Sequence, residues 1–190
     1  MGTDIEWTPK ARAVLAAANE LFYAQGIHAV GVDAIAARAG VTKKTLYDRF
    51  GSKERLVVEY LAQRDQRWRA FLAPRLEAAG PDPRARLAAV FDASADWAAE
   101  EGGKGCSTIN AHAEISQPDH PAYASIVGQK RWMLDLFTDI AGAAGVADAQ
   151  ATARSVMLLH EGALVTDGMR VIDEAYARAR DLALSLLTTP

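Results

Sequence analysis

Between Arg38 and Arg55 stand six basic side chains, Arg38, Lys43, Lys44, Arg49, Lys53 and Arg55, against the acids Asp48 and Glu54. That stretch carries +4 in a chain whose formal net charge is −3, so the remainder carries −7. A compact basic patch on an acidic protein fits a small phosphate-facing surface and argues against a protein that coats polyanions by charge alone. Within the patch, Leu46 and Phe50 fall on one face of a helix at about 100° per residue. Lys44, Thr45, Tyr47 and Asp48 then face outward, with Lys43 on the flank of the exposed first turn. Lysines and a hydroxyl so placed can meet base edges and phosphates when a helix enters a major groove N-terminus first.

A second set of residues has the chemistry of a small-molecule pocket. Trp97, Trp132, Met133, Phe137 and Met157 offer apolar and aromatic walls, and Cys106, Asn110 and His160 offer a few polar anchors. Other chemistry fails on spacing. His112-Ala-Glu114 has the His-x-Glu of zinc deaminases but lacks their Pro-Cys-x-x-Cys. Gly102 to Gly105 lacks the spacing of a phosphate loop and the strand that precedes one. Cys106 with His112 or His160, or with Asp119 and His120, has no ligand or nucleophile spacing of a known kind. Cys106 reads better as a small hydrophobe. No enzyme activity, no cofactor and no metal are therefore expected.

The elements that must hold these residues read as helices throughout, since alanine is abundant and alternating β-branched runs are missing. Thr8 as N-cap and Pro9 at the first position predict a helix that buries Ala11, Leu15, Ala18, Leu21 and Phe22 and stops at Gly26. A short helix is expected from about Val32 to Ala39, ended by Gly40, and another from a Thr42 cap to about Phe50. After Gly51, a Ser52 cap opens a longer helix toward Pro74. Helical stretches follow around Leu87–Ala99, Ser107–Ile115, Pro121–Ala144, Ala149–Met169 and Glu174–Leu187, with connections near Gly102–Gly105, Gln117–Asp119 and Ala141–Val146.

Two short helices joined by a turn at Gly40 and Val41 make a helix-turn-helix, with Ala36 and Ala39 permitting a close crossing. At this point the chain resembles the TetR family of transcription regulators. The matching residues are Leu21-Phe22, Gly26, Ile35-Ala36, Ala39-Gly40-Val41, Thr45-Leu46-Tyr47, Phe50, and Ser52-Lys53 with Leu56. The resemblance implies that Thr42, Lys43, Lys44, Thr45 and Tyr47 meet double-stranded DNA and that Lys53 meets a phosphate at the N-terminus of the next helix, where free N–H groups converge. Gly31 departs from the family's usual Thr or Ser, so a side-chain contact to phosphate is lost there.

More distantly, Gly105-Cys106, Asn110-Ala111, Glu114, His120-Pro121, Lys130 and Leu159 through Gly162-Ala163 resemble one branch of these regulators. The resemblance implies an effector pocket and a homodimer interface built from the last two long helices, with Val156, Leu159, Leu164, Tyr176, Leu182, Leu184 and Leu187 available for packing.

The expected architecture is all-α, about nine helices. Residues 1–60 would form a three-helix DNA-binding domain and residues 61–190 a helical effector-binding and dimerisation domain. The single cysteine excludes an intrachain disulfide, no apolar run approaches the roughly 20 residues of a membrane span, and Met1 to Pro9 lacks the order of a signal peptide. A cytoplasmic regulator without membrane contact is expected: a repressor on a palindromic operator, released by a small-molecule effector. The competing class is an all-α enzyme or adaptor that uses its helix-turn-helix to bind a partner.

Overall fold

The structure, a computed structural model, describes residues 5–101 and 104–188. Met1 to Asp4, and the first half of the connection expected at Gly102–Gly105, lie outside the described residues. Among the described residues the chain forms nine helices and no strand: α1 (Pro9–Gln25), α2 (Val32–Arg38), α3 (Lys43–Phe50), α4 (Lys53–Ala78), α5 (Pro83–Glu101), α6 (Ser107–Glu114), α7 (Tyr123–Ala143), α8 (Ala149–Gly168) and α9 (Ala175–Ser185). No described helix is long and apolar enough to cross a membrane.

Local chemistry sets most of these ends. Thr8 Oγ1 accepts from Ala11 N at 3.2 Å, with Pro9 at the first helical position. Asp148 caps α8 in the same way through Ala151 N. The turn after α2 is a Schellman motif, in which Gly40 N–H donates to Ala37 and Val41 N–H to Ala36, with Gly40 at φ 65°. An L residue at that φ would be strained, which is why glycine stands there.

Helix α4 does not end toward Pro74 as the sequence suggests; it continues to Ala78 with the proline inside. Proline removes one backbone N–H and crowds the carbonyl four residues earlier. Beside the proline, the Arg75 guanidinium donates to Phe71 O at 2.8 Å and lies 3.5 Å from the centroid of that ring. The helix stops only where Gly80, at φ 68°, turns the chain.

Two compact units emerge, one of residues 1–64 with 107–127, the other of residues 65–106 with 128–190. In the first, α1, α2 and α3 enclose Val14, Leu15, Ala18, Phe22, Ile35, Leu46 and Phe50, and α4 adds Leu56, Val57 and Tyr60. Ala111, Ile115, Ala122 and Ile126 belong to the same core, so α6 and the start of α7 are part of this unit. Leu46 is fully buried, and cutting it to alanine should cost about 2–5 kcal/mol, enough to loosen the whole helix-turn-helix.

The second unit is built on α5, α8 and α9, which lie against one another, with Trp68, Leu72, Phe91, Met133, Phe137, Val156 and Tyr176 in its core. Gly168 closely approaches the backbone at Gly105. A Cβ on Gly168 would sit 3.1 Å from Gly105 Cα, so a side chain there would crowd the neighbouring backbone.

Candidate nucleic-acid interface

Helix α3 presents one face to the core and the other to solvent. Thr42 caps it: its Oγ1 accepts from Thr45 N at 3.1 Å and lies 2.9 Å from Thr45 Oγ1. With Leu46 and Phe50 drawn inward, Lys43, Lys44, Tyr47 and Asp48 are exposed and Thr45 is half-buried. Tyr47 retains 41 % of its surface, much for an aromatic ring, and the ring does not serve as core. Lys53 stands at the first residue of α4, its Nζ 5.9 Å from the Phe22 ring centroid. Gly31 precedes α2 with no side-chain capping bond.

The exposed cations are not bare. Lys43 Nζ donates to Asp33 Oδ2 at 3.0 Å, and that bond raises its pKa above the usual lysine value. Lys44 donates to Asp48 at 2.8 Å, Arg38 binds both oxygens of Glu20, Arg49 pairs with Glu6 and Arg55 with Glu59. Four of these five acids, Glu6, Glu20, Asp33 and Glu59, lie outside the stretch from Arg38 to Arg55. Counting charge along the sequence therefore overstates the positive field; folding brings acids to the patch from α1, α2, α4 and the N-terminal segment. All are exposed or partly exposed pairs, screened by water and readily exchanged for a phosphate.

Of the pocket candidates, Trp97, Cys106, Trp132, Met133, Phe137, Met157 and His160 fall in the second unit. Asn110 does not: it lies exposed on α6, in the unit that holds α3. Met133 and Phe137 are fully buried, while Trp97, Trp132 and Met157 are half-buried. Trp97 meets Trp68 and Phe71 edge-on, with the Arg67 guanidinium 5.7 Å away, and Arg69 lies 4.1 Å over Trp132.

His160 is enclosed by Phe91 and Phe137, each with its centroid 5.5 Å away. Burial holds its pKa below the usual histidine value. Ser94 Oγ donates to Val90 O at 2.8 Å and lies 2.9 Å from His160 Nε2. The Nδ1 atom stands 3.5 Å from Glu161 Oε1. Burial pushes Glu161 toward its neutral form, but His160 and the Lys130 ammonium 2.7 Å away outweigh it and leave its pKa lowered. Lys130 also donates to Cys106 Sγ at 3.5 Å. Among the described residues no three side chains form a metal-binding group.

With this geometry in hand, the relatives can be placed. Residues 14–60 match the family described as "Bacterial regulatory proteins, tetR family". A TetR-family transcriptional regulator from Streptomyces coelicolor is 31 % identical and superposes with a TM-score of 0.82, over 97 % of this chain and 95 % of that one. The reduced form of NemR from E. coli has the same fold, with a TM-score of 0.80 at 19 % identity over 95 % of this chain and 98 % of its own. The HTH-type transcriptional activator FasR of Mycolicibacterium smegmatis is 33 % identical over 113 residues, 60 % of this chain and 51 % of FasR, so the match spans about half of that curated relative. The chain belongs to the TetR family of transcriptional regulators: it is a DNA-binding regulator with a helix-turn-helix at α2 and α3.

Proposed function

We propose that this regulator is a homodimeric repressor that reads a pseudo-palindromic operator through α3 and leaves it when a small, largely apolar effector binds among the helices of the second unit. The observation that carries the DNA-reading half is the outward face of α3, where Lys43, Lys44 and Tyr47 are exposed beside the capped N-terminus while Leu46 and Phe50 anchor the helix. Thr42, Thr45 and Lys53 complete the contact surface. A single recognition helix covers too few base pairs for selectivity, so a two-fold protein on a two-fold site is the natural solution. Enrichment of duplexes from a random-sequence pool tests this: a palindrome should emerge. Recovery of unrelated sequences at every round would refute it.

The dimer surface we assign is the apolar face of α8 and α9. Leu158, Gly162, Val165 and Met169 recur along one side of α8, and Leu182 and Leu186 along α9, with Leu158 75 % and Met169 68 % exposed. Gly162 has open space before it, which permits close backbone approach by a second copy. Of the packing residues expected from the sequence, only Leu182 is on this face. Val156, Tyr176 and Leu187 are buried, and Leu159, Leu164 and Leu184 are half-buried against the unit's own core.

For the effector, Trp97, Trp132, Met157 and His160 with Cys106 and Lys130 supply apolar walls and polar anchors. Release follows if the effector prefers a packing of the second unit that DNA does not. An effector that weakens operator binding tenfold must itself bind tenfold more weakly to the complex, a coupling of about 1.4 kcal/mol. Activation is a second reading, supported by the FasR relative; a promoter–reporter fusion with and without the gene separates the two.

A further inference from the structure

Glu114 of α6 is used neither by the recognition helix nor by the pocket candidates. Its carboxylate reaches the turn that follows α1. Glu114 Oε1 accepts from Ile27 N at 2.8 Å, Oε2 accepts from His28 N at 2.6 Å, and His28 Nδ1 lies 3.7 Å from Oε2. Two consecutive backbone N–H groups that no helix satisfies are thus held by one carboxylate from 86 and 87 residues away in the chain. The approach needs a glycine. A Cβ on Gly26 would stand 3.1 Å from Glu114 Oε1, and the backbone there has φ 95°, where L residues are strained.

The other end of α6 is tied as well. Arg64, only 8 % exposed, donates from Nε to Ser107 Oγ at 3.0 Å, and its guanidinium lies 4.4 Å from the Tyr23 ring on the last turn of α1. Between the two ties, Ala111 and, just past Glu114, Ile115 are buried in the same core as Phe22 and Ile27. Helix α6 is therefore fastened by Glu114 to the turn from which the chain enters α2, and by Ser107 to Arg64 of α4, which lies over the last turn of α1.

We infer that Glu114 is a positioning residue for DNA reading: by clamping the Ile27 and His28 amides it fixes the turn that aims the helix-turn-helix, and so makes the pose of α3 depend on α6. The inference rests on the assignment of α3 as the DNA-reading helix. It differs from a merely structural role in what it leaves untouched. Lys43, Lys44 and Lys53 keep their charge when Glu114 changes, so phosphate-driven binding to any duplex should survive while the aim needed for a chosen sequence is lost.

The test uses the full chain with Glu114→Gln, whose amide presents a donor to one of the two N–H groups. Exchange of the Ile27 and His28 amides should quicken. Affinity for the palindrome selected by the wild type should fall about tenfold, with affinity for an unrelated duplex, and its salt slope, unchanged. Quickened exchange with undiminished affinity for the palindrome would overturn the inference, as would equal losses on both duplexes. If Glu114→Gln does not fold by circular dichroism, Glu114→Asp is read instead; one methylene shorter, it should show the same selective loss, and wild-type selectivity with quickened exchange would overturn the proposal. Two controls locate a failure. Should Lys44→Ala leave palindrome binding untouched, the reading of α3 has failed; should Lys44→Ala weaken it and Glu114→Gln not, only the clamp has.

Discussion

Two surfaces of this regulator are exposed in opposite ways. On α3 the exposed side chains are charged apart from Tyr47, and Asp33 and Asp48 already hold Lys43 and Lys44 at 3.0 and 2.8 Å. On α8 and α9 one exposed row is apolar, with Leu158 and Val165 on the first and Leu182 and Leu186 on and just past the second. A charged face can wait in water at little cost, because water and its own acids solvate it, and it exchanges those partners for phosphate when DNA arrives. An apolar face of comparable prominence has no such stand-in and is relieved only by a second apolar surface. Reversible, salt-tuned binding belongs to the first and lasting association to the second.

The largest expected effect breaks the second surface. Replacing Leu158 and Leu182 together with glutamate should convert a dimer into monomers in sedimentation at micromolar concentration and abolish operator binding, while helical content stays native because both side chains are outside the core. The pair Leu159 and Leu184, half-buried against the core, should instead lower stability when charged. A wild type that sediments as a monomer would end the comparison.

A smaller effect sharpens the first surface. Asp33→Asn frees Lys43 from its carboxylate and removes a negative charge beside the face of α3 assigned to DNA reading. Non-specific affinity at low salt should rise several-fold and its slope against log salt steepen by about 0.9. No change in either would mean that Asp33 does not face the DNA.

The smallest effect concerns acid. Because burial depresses the His160 pKa, the unfolded chain takes up a proton that the folded chain refuses. Stability should therefore be fully present above about pH 6.5 and decline as pH falls below it, toward the lower folded value. His160→Gln should flatten that part of a urea-denaturation pH profile. Operator binding, which does not involve His160, should be indifferent to that substitution.

The same contrast explains what could be read from the chain alone. Helix ends, the helix-turn-helix and the outward set of α3 follow from neighbours a few residues apart: Thr8 and Thr42 as caps, Gly40 in its turn, Leu46 and Phe50 one turn apart. Long-range facts were not legible. Nothing local to Glu114 says that it meets Ile27 and His28, and nothing near Asp33 says that it holds Lys43. A leucine at helical spacing reads alike whether it fills the core, as Leu187 does, or faces solvent, as Leu158 does. Asn110 was placed by type and neighbourhood in a pocket, yet its helix belongs to the unit that carries α3. Pro74 in the sequence reads as a stop, yet α4 runs through it to Ala78.

The central claim is that α3 reads DNA with its exposed face, and the salt dependence of operator binding by Lys44→Ala and Tyr47→Ala tests it most directly. Lys44→Ala should weaken binding and lower the slope of log affinity against log salt by about one, and Tyr47→Ala should weaken binding, both with native circular dichroism and thermal midpoint. Wild-type affinity and slope in both variants would contradict it.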